Sequence, residues 1–286
     1  MKKKTFSLIG IAAASLITLA GCASTPGSDP KTPEPTATFA VGSTMERLAT
    51  AGRITIGTKF DQPLFGLKGP GAAPIGFDIE MAKLVAAGLG IAPENIIWKE
   101  TVSANRELFI KGGDVDIVIA TYTINDKRKQ VVAFAGPYYL AGQSILVKAN
   151  NKTIKDEKDL VGQPVCSVTG STPAAKLAEI GAKPLLADTY SLCLEPLRSG
   201  AAVAVSTDNV ILAGLAAQNE GEFKVVGKPF TQEPYGIGLK LGDTAFQGFV
   251  NGVLEKAYKN GAYKKAWAST AGSVLPYVAP PAVKTD

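Results

Sequence analysis

From Arg53 onward, short β-branched runs take turns with stretches of helical period, and this alternation limits the fold of the 286-residue chain more than any other feature. Ile54-Thr55-Ile56 is followed by Phe77, Met81, Leu84, Val85 and Leu89, which share one helical face. Ile96-Ile97-Trp98 leads to a helix through Leu108-Phe109, stopped by Gly112-Gly113, and then to the nearly continuous apolar run 115–119 expected of a buried strand. A second set begins near Gln143, with strands over 144–147, 165–168, 184–186, 203–205 and 223–226 and helices over 174–180, 191–199 and 209–218. One more strand is predicted over 235–239, and a helical pair over 246–267. This repetition predicts an α/β chain with largely parallel sheets. The Pro/Ala-rich tail over 276–286 is expected to pack loosely.

The first residues address the compartment. Lys2, Lys3 and Lys4 precede an apolar stretch from Phe6 to Leu19, and Leu19-Ala20-Gly21-Cys22 supplies small residues with a cysteine directly after them. That order is an export signal over 1–21, and the stretch is too short for a membrane span. Pro26, Pro30, Pro33 and Pro35 lie among Ser, Thr, Gly and Ala, so 22–43 reads as a semi-extended tether. Without the three signal lysines the balance of 30 basic and 25 acidic residues becomes 27 against 25, or +2, which gives no electrostatic case for nucleic acid. The chain has no histidine, which excludes a His-bearing zinc site and any Ser-His or Cys-His nucleophile pair. Cys166 and Cys193 remain. In an exported chain an internal disulfide is the simplest reading, two free buried thiols being the alternative, and two cysteines without histidine make no metal site.

Ligands of open α/β sheets sit outside the carboxyl ends of strands, where loops and helix starts supply N–H groups. After 115–119 come Thr121, Tyr122 and Thr123, then Asn125-Asp126 and Arg128, a hydroxyl-rich strand end with a guanidinium one turn into a helix. This is a candidate carboxylate clamp, although an arginine so placed is more often solvated. Ser171 and Thr172 open a helix after 165–168, as N-caps or as part of an anion site. Asp208 either pairs with an ammonium or caps the helix over 209–218, and capping is the simpler reading of that segment alone. Lys59, beside Phe60 at the first strand's end, and Arg106 are further cations near the same edge, pointing inward or outward.

These residues resemble the solute-binding proteins of ABC importers for polar amino acids. The resemblance is carried by Gly76-Phe77-Asp78-Ile79-Glu80-Met81-Ala82, by Thr121-Tyr122-Thr123 with Arg128, by 167–173, by Thr207-Asp208 and by 235–239. The stretches 57–63, 166–168 and 188–193 are similar to glutamate-binding lipoproteins of actinobacteria, and Leu19-Ala20-Gly21-Cys22 resembles a lipobox, which implies lipidation of Cys22. The resemblance implies a two-lobed type II periplasmic-binding fold, with two mainly parallel sheets and a two-stranded hinge. Lobe one would hold 44–142 plus 236–286, and lobe two 143–235. By resemblance Arg128 and Thr123 hold an α-carboxylate, helped by Thr121 and Thr172, and Asp208 an α-ammonium. Lys59 and Arg106 meet a side-chain carboxylate, against which they and Arg128 would set a surplus of two positive charges over Asp208. Phe60, Tyr122, Ser171 and Tyr190 complete the implied set, and Tyr190 stands where some relatives have histidine. The expectation is therefore an L-glutamate receptor, with L-aspartate as a further ligand, anchored by lipid to the outer face of the cell membrane. It would act as a monomer, without cofactor, and deliver its ligand to a permease and ATPase. The alternatives are a binder of glutamine or another polar amino acid, an exported dehydratase-like enzyme on the same fold using Asp61, Asp208 or a lysine, and a sensing module with the same pocket.

Overall fold

The structure, a computed structural model, describes residues 38–284; the export signal, Cys22 and most of the expected tether lie outside them. In chain order the strands are β1 (Ile54–Thr58), β2 (Asp61–Gln62), β3 (Gly66–Leu67), β4 (Ile96–Glu100), β5 (Ile117–Val118), β6 (Ala133–Ala141), β7 (Gln143–Lys148), β8 (Pro164–Val168), β9 (Lys183–Ala187), β10 (Ala204–Asp208), β11 (Phe223–Val226) and β12 (Glu233–Leu239). The α-helices are α1 (Thr44–Ala51), α2 (Phe77–Gly88), α3 (Arg106–Gly112), α4 (Asp126–Lys129), α5 (Thr172–Glu179), α6 (Leu194–Ser199), α7 (Asn209–Gln218), α8 (Thr244–Asn260) and α9 (Ala262–Ala268).

Two five-stranded sheets result, ordered β4-β1-β5-β12-β6 and β11-β7-β10-β8-β9, with β2 and β3 as a separate hairpin. Each sheet is the framework of one lobe of the two-lobed fold, and one buried apolar cluster includes residues of both. Each is less parallel than expected. β1 runs parallel to β4 and β5, and β8 to β9 and β10, whereas every pairing of β12, β6, β7 and β11 in the sheets is antiparallel. The reason is the passage between lobes: β6 continues through Gly142 into β7, and β12 returns beside β6, pairing Glu233 with Ala141.

Helix α2 shows how sequence becomes core. Phe77, Ile79, Met81, Ala82, Val85 and Ala86 are all fully buried, while Glu80 and Lys83 form an i,i+3 ion pair on the outer side. At about 1.5–3 kcal/mol for each large buried apolar side chain, this face alone outweighs the helix's modest intrinsic propensity. Phe77 also meets Tyr263 and Trp267 edge-on at 5.2 and 5.1 Å, tying α2 to α9.

Several boundaries move. The run 115–119 keeps only Ile117–Val118 as strand, though Asp116 and Ile119 still donate to Thr55 and Gly57 of β1. The strand expected over 203–205 extends to Asp208. The helix expected over 191–199 begins as a 3-10 turn at Ser191–Cys193, because Pro196 has no N–H with which to extend α6 backward. The described part of the tail is exposed over much of its length but pinned near its end, where Val283 packs on the core and Lys284 N–H donates to Gly136 O at 2.9 Å. The tether ends early, since Phe39 meets Phe249 of α8 edge-on at 5.5 Å. Cys166 and Cys193 are disulfide-bonded across a Cα separation of 5.5 Å. Among the described residues no helix is long and apolar enough to cross a membrane, and no group of three or more His, Cys, Asp and Glu could hold a metal ion.

Candidate ligand pocket between the sheets

A narrow pocket lies where the carboxyl ends of both sheets face each other. Arg106, Thr121 and Thr123 line it from the first lobe, and Ser171, Thr172, Tyr190 and Asp208 from the second. Seven of the eleven expected residues therefore converge. Ser103, Pro173 and Ile211 also line it. Ser103 carried no usable signal, because it lies in the turn between β4 and α3 without periodicity or motif.

The first lobe's wall is a loop laid flat on β12. Ile124 N–H donates to Pro234 O and Gly236 N–H to Tyr122 O. A side chain at Gly236 would come within 2.6 Å of Ile124, and one at Gly238 within 2.7 Å of Tyr122, so only glycine lets the loop lie that close. Thr121 has φ of 45°, a conformation costly for a β-branched residue. It is held there by Asp78, whose Oδ2 accepts from Thr121 N–H at 2.8 Å while Oδ1 accepts from Tyr138 O–H at 2.7 Å. Burial pushes the Asp78 carboxyl up to about 7 despite these two donors.

Three cations gather behind this loop. Arg106 donates Nη1–H to Ala120 O at 3.2 Å and lies 4.2 Å from the centre of the Tyr122 ring, its Nε without a partner. Lys59 is buried and donates to Ser103 Oγ at 2.9 Å. Burial first, then the Arg106 charge, lowers its ammonium to about 7, against the opposing pull of Asp61. Arg106 itself is lowered to about 10, by burial and by Arg128. Arg128 is held through its own elements: Asn125 caps α4, and the guanidinium donates to Thr123 O at 2.7 Å and, across the cleft, to Gly170 O at 3.2 Å. Glu107 pairs with its Nε at 3.2 Å.

The second lobe's wall consists of helix starts. Ser171 caps α5, accepting from Ala174 N–H at 3.1 Å, as one of its two expected readings required. Thr172 donates to Glu233 at 2.7 Å and stands 3.4 Å from Thr123 across the pocket. Asp208 precedes α7 but makes no capping bond with its side chain, contrary to the simpler reading of its segment. Instead Oδ2 accepts from Tyr235 O–H at 2.6 Å, and Oδ1, buried, has no partner. Burial and then the Glu233 charge raise its carboxyl to about 7. Burial likewise raises the Tyr190 hydroxyl.

Four expected residues do not line the pocket itself. Lys59 reaches it only through Ser103. Arg128 lies at its mouth, lining a larger groove with Ser171 and Thr172. Tyr122 is the apolar floor under both guanidinium groups, packed on Phe134 at 4.8 Å. Phe60 lies outside, its ring under the Lys68 ammonium at 4.6 Å. The expected surplus of two positive charges is also trimmed, because Glu107 pairs with Arg128 and Glu233 stands beside Asp208. Lys59 and Arg106 keep no salt bridge among the described residues. Chemically the pocket offers buried cationic and hydroxyl donors on one side and one carboxylate oxygen with a free lone pair on the other, a pattern complementary to a zwitterion.

The chain as a whole is similar to known proteins. The chain is 43% identical to the glutamate-binding protein GluB of Corynebacterium efficiens over 75% of its own length and 77% of the relative's. It is 36% identical to the glutamine-binding protein GlnH of an ABC transporter of Bacillus subtilis over 93% and 96%. Among solved structures, an ancestral arginine-binding protein bound to glutamine superposes with a TM-score of 0.72 at 35% identity, covering 77% of this chain and 97% of that one. With residues 54–269 matching the family profile as well, the chain belongs to the bacterial extracellular solute-binding proteins, family 3.

Proposed function

We propose that the chain is the extracellular substrate-binding lipoprotein of an ABC importer and captures L-glutamate, with L-aspartate as a weaker ligand, by closure of its lobes. The observation that carries this reading is the pair Lys59 and Arg106, buried without a carboxylate partner beside the pocket. A glutamate side chain would supply that carboxylate, and leaving such cations buried and unpaired is costly. Asp208 would take the α-ammonium through its free Oδ1, and Thr121, Thr123 and Thr172 with Arg128 the α-carboxylate. The likeness to a glutamate-binding protein supports the same reading. No bond is made or broken. The hinge strands are the crossings near 142–143 and 234–235, with 44–142 plus 236–286 as one lobe and 143–235 as the other. Residues 1–21 are the export signal and Cys22 the lipidated residue, so that a monomer presents its ligand to a permease from the outer face of the membrane.

One observation favours a second reading, glutamine. A lysine lowered to about 7 is partly neutral at neutral pH, and a neutral amine accepts a hydrogen bond from an amide. Thermal unfolding of the fragment from Ala23 with each amino acid at millimolar concentration separates the two. Ligand at 100 times its dissociation constant adds about 2.7 kcal/mol, a rise in Tm of roughly 5–11 °C for a chain of this size class. Glutamate is expected to give the largest shift, aspartate a smaller one and glutamine none. A shift with glutamine alone keeps the importer and overturns the role of the cation pair.

A further inference from the structure

The hairpin β2–β3 belongs to the first lobe's chain segment, yet its start is gripped by the second lobe. Asp61 Oδ2 accepts from two consecutive backbone N–H groups, Tyr190 at 2.9 Å and Ser191 at 3.3 Å. These open the 3-10 turn Ser191–Cys193, and the Cys193–Cys166 disulfide staples that turn to β8. Two residues further along, Pro63 lies against α7: a Cβ at Gly214 would stand 2.5 Å from Pro63 O. Gly214 lies mid-helix, where glycine costs about 1 kcal/mol relative to alanine, so its presence fits a demand for close approach. The receiving slot is therefore rigid on both sides, a stapled turn and a helix notch.

We propose that Asp61 is a positioning residue of the ligand site: its carboxylate latches the second lobe shut and sets the Tyr190 wall against the cation pair. Tyr190 lines the pocket with its side chain while its backbone N–H is held by Asp61. Asp61 is two residues from Lys59, so one side chain serves both walls. Its charge also supports the Lys59 ammonium, which otherwise faces Arg106 and Arg128, with Glu100 as the other acidic neighbour. Only the affinity measurement depends on the proposed glutamate reading; the latch itself is readable without any ligand.

Hydrogen exchange on the full chain, with and without L-glutamate, tests it directly. In the ligand-free wild type the Tyr190 and Ser191 amides are expected to exchange slowly, and Asp61→Ala to speed both about fivefold to a hundredfold while the β8 and β10 amides keep their rates. Asp61→Asn, which retains an acceptor but no charge, should largely preserve the protection. Both variants should shift the alkaline loss of glutamate affinity to lower pH, an effect no purely structural role predicts. Gly214→Ala gives an independent reading, because the methyl favours the helix and opposes closure. It should leave the ligand-free Tm equal to or above wild type, and raise the glutamate dissociation rate at least fivefold with an unchanged association rate. Equal exchange at Tyr190 and Ser191 in wild type and Asp61→Ala overturns the latch, whether or not glutamate binds. So does unaltered glutamate dissociation in both Asp61→Ala and Gly214→Ala. If the wild type binds glutamine and not glutamate, the exchange result stands alone and the specificity reading falls.

Discussion

The two walls of the pocket are built from opposite materials. The first lobe offers side-chain cations fixed by carbonyl and hydroxyl oxygens, Arg106 on Ala120, Arg128 on Thr123 and Lys59 on Ser103. The second offers helix starts and one carboxylate, Asp208, whose hydroxyl donor, Tyr235, comes from the other sheet. Neither wall is electrostatically complete alone. A charge left buried without its counterpart costs far more than a surface pair gains, so the lobes have reason to close only around something that answers both. On the proposed function, the difference makes specificity and closure one device, the division of charge between two walls that a ligand brings together.

That division can be broken most sharply from the acidic side. Asp208→Ala should weaken amino-acid binding by about thirty- to several-thousandfold in titration calorimetry, the range for deleting one partner of a buried charge pair. Binding within threefold of wild type would mean that the second wall holds no ammonium. From the cationic side, Arg106→Ala should cost about ten- to a hundredfold in glutamate affinity while changing glutamine binding little, so the ratio of the two is the quantity to measure. A smaller effect sharpens the comparison by pH. Lys59, lowered to about 7, loses its charge as pH rises through that value, and Asp208, raised to about 7, loses its own as pH falls through it. Glutamate affinity should therefore peak near neutrality and fall on each side by at most about tenfold per pH unit, and Lys59→Arg should flatten the alkaline limb alone. Smallest of all, deleting residues 277–286 should lower the Tm by a few degrees through loss of the Val283 and Lys284 contacts and leave affinity unchanged within twofold.

Much of this was legible in residues alone. The face of α2, the strands β1 and β4 and the helix α8 announce themselves by apolar spacing, while β8 and α7, buried on consecutive residues, are read from the short apolar run of the one and the length of the other. β6 did not. Ala133–Ala141 carries Gly136, Pro137 and two adjacent tyrosines, a run with turn residues inside it that becomes a strand only because β12 lies beside it. For Asp208 the local segment alone favours a cap and only the resemblance points to a ligand, since nothing in 204–209 reveals that Tyr235 from the far end of the chain will draw its side chain aside. Ser103 and the grip of Asp61 on the Tyr190 turn were illegible for the same reason: both depend on contacts far apart in sequence, where local pattern carries no information.

Both ends of the described segment attach to one helix region, which has a mechanical consequence. Phe39 rests on α8, Thr44 donates to Asp243 just before it, and Lys284 is bonded to Asn251 within it. The strands β7 to β11, by contrast, form one uninterrupted insertion between β6 and β12. If the residues before Phe39 carry the proposed anchor, a pull through them would enter at α1 and α8, beside the first sheet, and would not have to pass through the insertion. On the proposed function, such a leash could be tugged without prising the jaws open.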